Sequence, residues 1–291
     1  VYNARERYSP EYVESHTGAN KDEVAIIESD YDALVLGGNP GAPFIPMEST
    51  QADADEFNAI VHYIRTHDLS QEEHYQYVAE RLDVNSFMDM YVSRLFFNAR
   101  DWPENNIKVF KNRAEGSVDT KWHFTLLDMD MGIAMYPMGH GADTAEKANF
   151  FGWIHSTGTV VGTIMNGLCK NEGFKQAFIS RFAYVVNHMY APEVLEAELD
   201  TVVNQREALV ELQSMRWGAS EGQYRTSIEN MYSFVRNRAE YVIPMLCNHF
   251  GISPSDLEIS TEKKIVVSFN PDRAEVTFNG ESVSASGTEF A

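Results

Sequence analysis

Between residues 53 and 98 the apolar side chains recur every three or four positions, the spacing of helices that bury one face. Phe57, Ile60, Val61 and Ile64 mark the first predicted helix. Ser70 with Glu73 has the form of a capping box that starts a second, running to about Leu82. Asn85 is the predicted cap of a third, in which Met88, Tyr91, Val92, Leu95 and Phe96 make a core-facing stripe. That helix should end near Asn98, because Pro103 cannot continue it. The period then changes. Residues 107–112 and 122–127 read as two strands, with Glu115-Gly116 as the turn between them. After Gly132 some twenty residues have no clear period, a loop length that in a compact domain usually marks function or mobility.

Helical spacing returns at residues 160–169 and in the stripe Phe174, Phe178, Phe182, Val185 and Met189. Leu195, Leu199, Val202 and Val203 form another stripe. A long segment over 224–250 carries Ile228, Met231, Phe234 and Val235, with Gly251 as its stop. The two ends of the chain differ from this body. Residues 1–46 hold two strand-like pieces, YNARERY and EVAIIES, around a polar helix candidate at 10–16. They look like the tail of something larger. LGGNPGAPFIP lacks the Lys-Ser/Thr and helix of a phosphate-binding loop and reads as a connector. Beyond Ser253-Pro254, KKIVVSF and AEVTFNG are two predicted strands around Asn270-Pro271. The pattern predicts an α+β chain: 1–50 as lead-in, 51–252 as a helical body with a short β-hairpin, and 253–291 as an incomplete β appendage.

At 291 residues, 44% hydrophobic and 12% aromatic, the chain can bury a large core. Its formal net charge of −20 argues against nucleic acid as a partner, since phosphate backbones need clustered Lys and Arg, and against an anionic membrane surface. The same charge suits a basic protein substrate, but solubility explains it too and is the preferred reading. Cys169 and Cys247 fit no metal spacing and read as two buried free thiols, with one disulfide as the alternative. None of the nine histidines forms HExxH; His62 and His67 flank a helix end and His140 lies in a Gly loop, so zinc is not indicated. Ser156 and Ser180 lack a nucleophile elbow. Trp153, Trp217 and the Phe stripes are read as core. No apolar run is long enough for a transmembrane helix.

The chemistry gathers around the predicted hairpin. Asp101 is followed five residues later by Asn106, in DWPENN; the apolar strand WHFTLL delivers Asp128; and Asp130-Met131-Gly132 has the D-x-G form, in which Gly lets the chain turn sharply after the acid. A hairpin is antiparallel, so the start of its first strand and the end of its second lie side by side. Carboxylates and carboxamides gathered there are ligands for a hard divalent cation. Transfer of a phosphoryl group from a nucleotide needs such a set: one carboxylate to accept the proton of the attacking hydroxyl, and an Asn and an Asp to hold Mg²⁺ against the phosphates. Each part has a plainer reading. Asp101 near a helix end is also a turn former, Asn105-Asn106 an ordinary turn, and D-x-D after a strand also marks metal-dependent glycosyltransferases. The combination at one edge is stronger than its parts.

DWPENNIKVFKNR followed by KWHFTLLDMDMGIA resembles the CotH kinase family, the spore coat protein H group, and the resemblance extends through FKQAFISRFAYVVNHMYAPEVL to the helix near Arg238. It implies a diverged protein-kinase-like fold, a predominantly helical C-lobe with a short β-hairpin, and phosphorylation of serines on proteins, with ATP and Mg as cofactors. It also implies an extracellular or cell-surface setting. Carried over by position, Asp101 matches the catalytic-loop acid and Asn106 the metal-binding Asn. Asp128 and Asp130 share the place of the metal-binding Asp: the D-x-G form favours Asp130 and the strand end Asp128. The family's R-G-N-S/T-like segment and phosphate-contacting Lys have no counterpart in the sequence, so residues 1–50 read as the remnant of an N-terminal lobe. Glu6 is a candidate acidic partner of that Lys. Weak nucleotide binding and little turnover are the expectation for this polypeptide. Two alternatives stand beside this one: a non-catalytic surface or coat interaction module on the same fold, and a glycosyltransferase using the D-x-D pair.

Overall fold

The computed structural model describes residues 7–29, 43–99, 102, 106–133, 144–155, 158–218, 220–257, 277–278 and 281–282. Helix α1 (Pro10–Thr17) precedes two strands, β1 (Val24–Ser29) and β2 (Phe44–Glu48). Helices α2 (Gln51–Thr66), α3 (Glu72–Ala79) and α4 (Val84–Phe97) lead to strands β3 (Lys108–Asn112) and β4 (His123–Phe124). Then come α5 (Val160–Leu168), α6 (Glu172–Tyr184), α7 (Pro192–Trp217) and α8 (Glu221–Phe250). A small antiparallel pair, β5 (Thr277–Phe278) and β6 (Glu281–Ser282), lies within the predicted AEVTFNG region and the residues just after it. The structure is mostly helical with a small antiparallel sheet. Among the described residues no helix is long and apolar enough to cross a membrane.

The predicted hairpin exists, Val109 pairing with Phe124 and Phe110 with His123 around a turn at Gly116. It does not stand alone. Strand β1 pairs antiparallel with β3 from Val24–Asn112 to Glu28–Lys108, and β2 pairs with β1, giving the order β2-β1-β3-β4. Residues on both sides of position 50 thus share one sheet. The run Val24, Ala25, Ile26, Ile27 is buried throughout because both faces are covered. Ala25 and Ile27 join the main core, while Val24 and Ile26 pack on Val13 of α1.

Helix starts follow local chemistry, with two departures from the sequence reading. Thr50 and Asp53 form a reciprocal capping box on α2. Helix α3 begins at Gln71 without a side-chain cap, because the Ser70 hydroxyl donates instead to the Asp68 carboxylate at 2.8 Å. Helix α4 is capped not by Asn85 but by Asp83, whose carboxylate accepts from the Asn85 amide at 3.0 Å. The stripe Met88, Tyr91, Val92, Leu95, Phe96 is buried as expected. Met189 is not: the chain widens to a π-helical turn over Val185–Met189, which rotates it off the Phe stripe and leaves it 51% exposed. Trp217, at the last position of α7, is 57% exposed rather than core, and Val202 also faces outward. Both cysteines are free, and burial pushes the Cys169 thiol up to about 12.

Two buried arginines organise the centre. Helix α4 must find outside donors for its last carbonyls. The carbonyl of Arg94 accepts from the Ala99 amide, and that of Phe97 from the Ile133 amide at 2.8 Å. Those of Leu95 and Phe96 accept from the Arg238 guanidinium of α8, each at 2.8 Å. Arg238 also donates to the Asn98 side-chain oxygen at 2.8 Å and to the carbonyls of Glu146 and Ala148. Residues 145–154, expected as loop, are thereby drawn inward, and Ala145, Ala148, Phe150, Phe151 and Ile154 are buried. Burial lowers the Arg238 pKa to about 9, which leaves it protonated at neutral pH. Replacing Arg238 by Met should therefore strand several buried acceptors at once and cost about 3 kcal/mol or more in urea unfolding. A loss below about 1 kcal/mol would show that these carbonyls find water instead.

Candidate functional site

The site is built at the C-terminal end of α4, where the hairpin's open end meets it. Asn98 closes the helix in the left-handed region (φ 55°), a conformation that Asn tolerates better than most residues. Its side-chain nitrogen donates to the Ala145 carbonyl at 2.5 Å. The chain then passes Trp102, whose fully buried ring meets Tyr91 and Trp153 edge-on at centroid distances of 4.8 and 5.3 Å. Asp101 itself lies outside the described residues, as do Asn105, Glu6 and His140.

Asn106 opens β3 and Asp128 follows β4, and both are left-handed, with φ of 59° and 50°. Non-glycine residues held there are uncommon, and such strain gathers at functional sites. Between them lies the fully buried side chain of Arg94. One of its terminal nitrogens donates to the Leu127 carbonyl at 2.5 Å and to the Asn106 carbonyl at 3.1 Å. The other reaches the Asp128 carbonyl at 3.4 Å, a longer and weaker contact. The main chains of Asn106 and Asp128, twenty-two positions apart in the sequence, thus converge on one guanidinium.

Asp128 and Asp130 are exposed, and Asn106 is half-buried. Gly132 closes a turn, its amide donating to the Met129 carbonyl at 3.0 Å, but its φ is not left-handed. The need for glycine is close approach: a Cβ would stand 2.8 Å from the Phe97 carbonyl oxygen and 3.1 Å from that of Met129. That packing sets Gly132 against the end of α4. Among the described residues no three His, Cys, Asp or Glu side chains cluster closely enough to hold a metal. Asn106, Asp128 and Asp130 offer one carboxamide and two carboxylates, all hard oxygens, a chemistry that would fit Mg²⁺ with water and phosphate completing its shell.

A family model described as CotH kinase protein matches residues 1–242. The chain belongs to the CotH kinase family. No curated protein matches it. The matched span contains Asp101, Asn106, Asp128 and Asp130, and both buried arginines.

Arg94 and His123 are the residues that sequence reasoning missed. Arg94 had a signal: it stands in the apolar run MDMYVSRLFF, where a charge must be partnered if it is buried. His123 lies between two carboxylates, Nδ1 at 2.9 Å from Asp83 and Nε2 at 2.9 Å from Asp119, with its ring stacked on Phe110. It ties β4 to the capping residue of α4. Burial works against its charge, but the Asp83 and Asp119 carboxylates outweigh that and raise its pKa. The His123 hydrogen bond in turn lowers that of Asp83. The raised His123 contributes stability in full below its unfolded value of about 6.5, lost as pH rises through the folded one; the lowered Asp83 contributes above about 3.9, lost on acidification. The stability difference between wild type and His123→Gln should therefore be widest between about pH 4 and 6.5 and narrow above it. Urea unfolding of both proteins across pH 4–9 measures this, and a pH-independent gap would mean that the ring is neutral.

Proposed function

We propose that this chain serves, within its protein, as the metal and base side of an atypical serine/threonine kinase: Mg²⁺-dependent transfer of the ATP γ-phosphate to a hydroxyl of a protein substrate. The observation that carries this reading is the convergence of the Asn106 and Asp128 main-chain carbonyls on the buried Arg94 guanidinium, which supports a ligand set gathered at one edge. Membership of the CotH kinase family supports it. On this reading the fold is a diverged kinase-like one.

Asp101 is assigned as the base that orients the acceptor hydroxyl and takes its proton as the oxygen attacks the γ-phosphorus. The bond from that phosphorus to the β-γ bridging oxygen breaks, and ADP leaves with the electron pair. Asn106, Asp128 and Asp130 are assigned as the ion's protein ligands. A Mg²⁺ held there would supply charge neutralisation for the transferring group. The net charge of −20 favours a basic or Ser-rich acceptor protein, and the family resemblance favours a cell-surface or extracellular setting.

The test is phosphate transfer from Mg-ATP to a Ser-containing basic peptide by the full-length protein, followed by mass spectrometry. Asp101→Ala should lower the rate by about 10²–10⁴-fold, the usual contribution of a positioned base, while leaving unfolding by urea unchanged. Asp128→Asn and Asp130→Asn should each raise the Mg²⁺ concentration needed, the larger rise marking the principal ligand. Undiminished transfer by Asp101→Ala removes the base assignment.

A further inference from the structure

A guanidinium buried to zero exposure, as that of Arg94 is, is costly unless its donors are used. Arg94 spends three contacts on main-chain carbonyls, those of Asn106, Leu127 and Asp128. These carbonyls belong to Asn106 and Asp128, both in left-handed backbone, and to Leu127, which precedes Asp128. Turning Asn106 and Asp128 into that conformation aims their carbonyls inward at the cation, while the Asp128 side chain remains at the surface. The hairpin's last rungs, such as the Thr125 amide donating to the Lys108 carbonyl at 3.2 Å, also hold the two ends together. Arg94 is itself fixed by the helix it stands on and by the Trp102 ring, whose centroid lies 6.0 Å from the guanidinium carbon.

We infer that Arg94 is a positioning residue: by holding the carbonyls of Asn106 and Asp128 to one fork, it sets the spacing of their side chains and hence the affinity for a divalent cation. The inference rests on the phosphotransfer reading of the site. A planar fork with several donors in fixed directions can serve both strand ends at once, and a lysine ammonium cannot reproduce that geometry. Arg94 touches neither the ion nor a substrate in this role. It acts on the ligands from behind, as the groups behind metal ligands do elsewhere, where their loss weakens metal binding by about 10–100-fold.

The experiment uses Mg²⁺ alone, without nucleotide, titrated calorimetrically into wild type, Arg94→Lys, Asp128→Asn and Gly167→Ala. The last is a control for simple loss of stability: a Cβ at Gly167 would meet the Ile64 side chain at 2.5 Å, in the packing of α5 against α2. Amide exchange at Thr125 is followed in the same proteins. The expected result is binding by wild type and Gly167→Ala with equal affinity, binding weakened at least about 10-fold in Arg94→Lys, and near loss in Asp128→Asn. Thr125 exchange should quicken in Arg94→Lys relative to the amides of α8. If Arg94→Lys binds Mg²⁺ like wild type while Asp128→Asn does not, the positioning role is wrong and the metal site stands. If Gly167→Ala weakens binding as much as Arg94→Lys, Arg94 is merely structural. If wild type itself binds no Mg²⁺, the phosphotransfer reading and the inference fall together.

Discussion

Everything at this site depends on carbonyl oxygens finding cationic donors inside the protein. A helix that ends in the core leaves its last carbonyls without partners, and a hairpin whose strands part leaves more of them. Two guanidinium groups meet these needs at the same place. Arg238 closes the end of α4 and draws residues 146 and 148 against it; Arg94, one turn earlier in α4, gathers the parted ends of β3 and β4. Arginine suits both positions because its several donors lie in one plane and its charge survives burial. Neither arginine is a surface ornament: each has zero exposure.

The same arrangement explains why unusual backbone conformations cluster here. Asn98, Asn106, Asp128 and Ile133 are the non-glycine residues with positive φ among those described, and all four lie where α4 meets the hairpin. Asn and Asp reach the left-handed region at modest cost, whereas Ile133 is β-branched and pays more steric strain. Its amide donates to the Phe97 carbonyl, so its strain is set against closure of the helix end. Gly132 beside it has no side chain because the Phe97 carbonyl occupies that space. The acidic D-x-G segment is thus shaped by what α4 requires.

Much of this was legible in the sequence, and the limits have physical causes. The helix stripes, the hairpin and the close of α4 at Asn98 follow from period and from turn chemistry, which are local. The four-stranded sheet was not legible, because pairing of β1 with β3 joins segments about eighty residues apart and leaves no periodic mark on either. Caps were misjudged where two candidates stood side by side: Asp83 outcompetes Asn85 since it also holds His123, a partner forty residues away. Met189 left its stripe because one π-helical turn shifts the phase, and no composition signals that shift. At the site, Asn106 and Asp128 could be placed on one edge by antiparallel logic alone. Their common anchor could not, since nothing in MDMYVSRLFF says which carbonyls Arg94 will reach.

Charge decides what such an edge can do. A protein of net charge −20 with two exposed carboxylates side by side in sequence space repels phosphate groups. Arg94 cannot offset this for a nucleotide, because it is buried and three of its contacts are already made to carbonyls. Positive charge at the edge therefore has to arrive from outside the arginine clamp. On the phosphotransfer reading, a divalent cation would supply that charge for nucleotide binding as well as for the chemical step. The rigid anchor and the acidic rim would then have separate tasks: the first would fix where the ligands stand, and the second would tie phosphate binding to the cation.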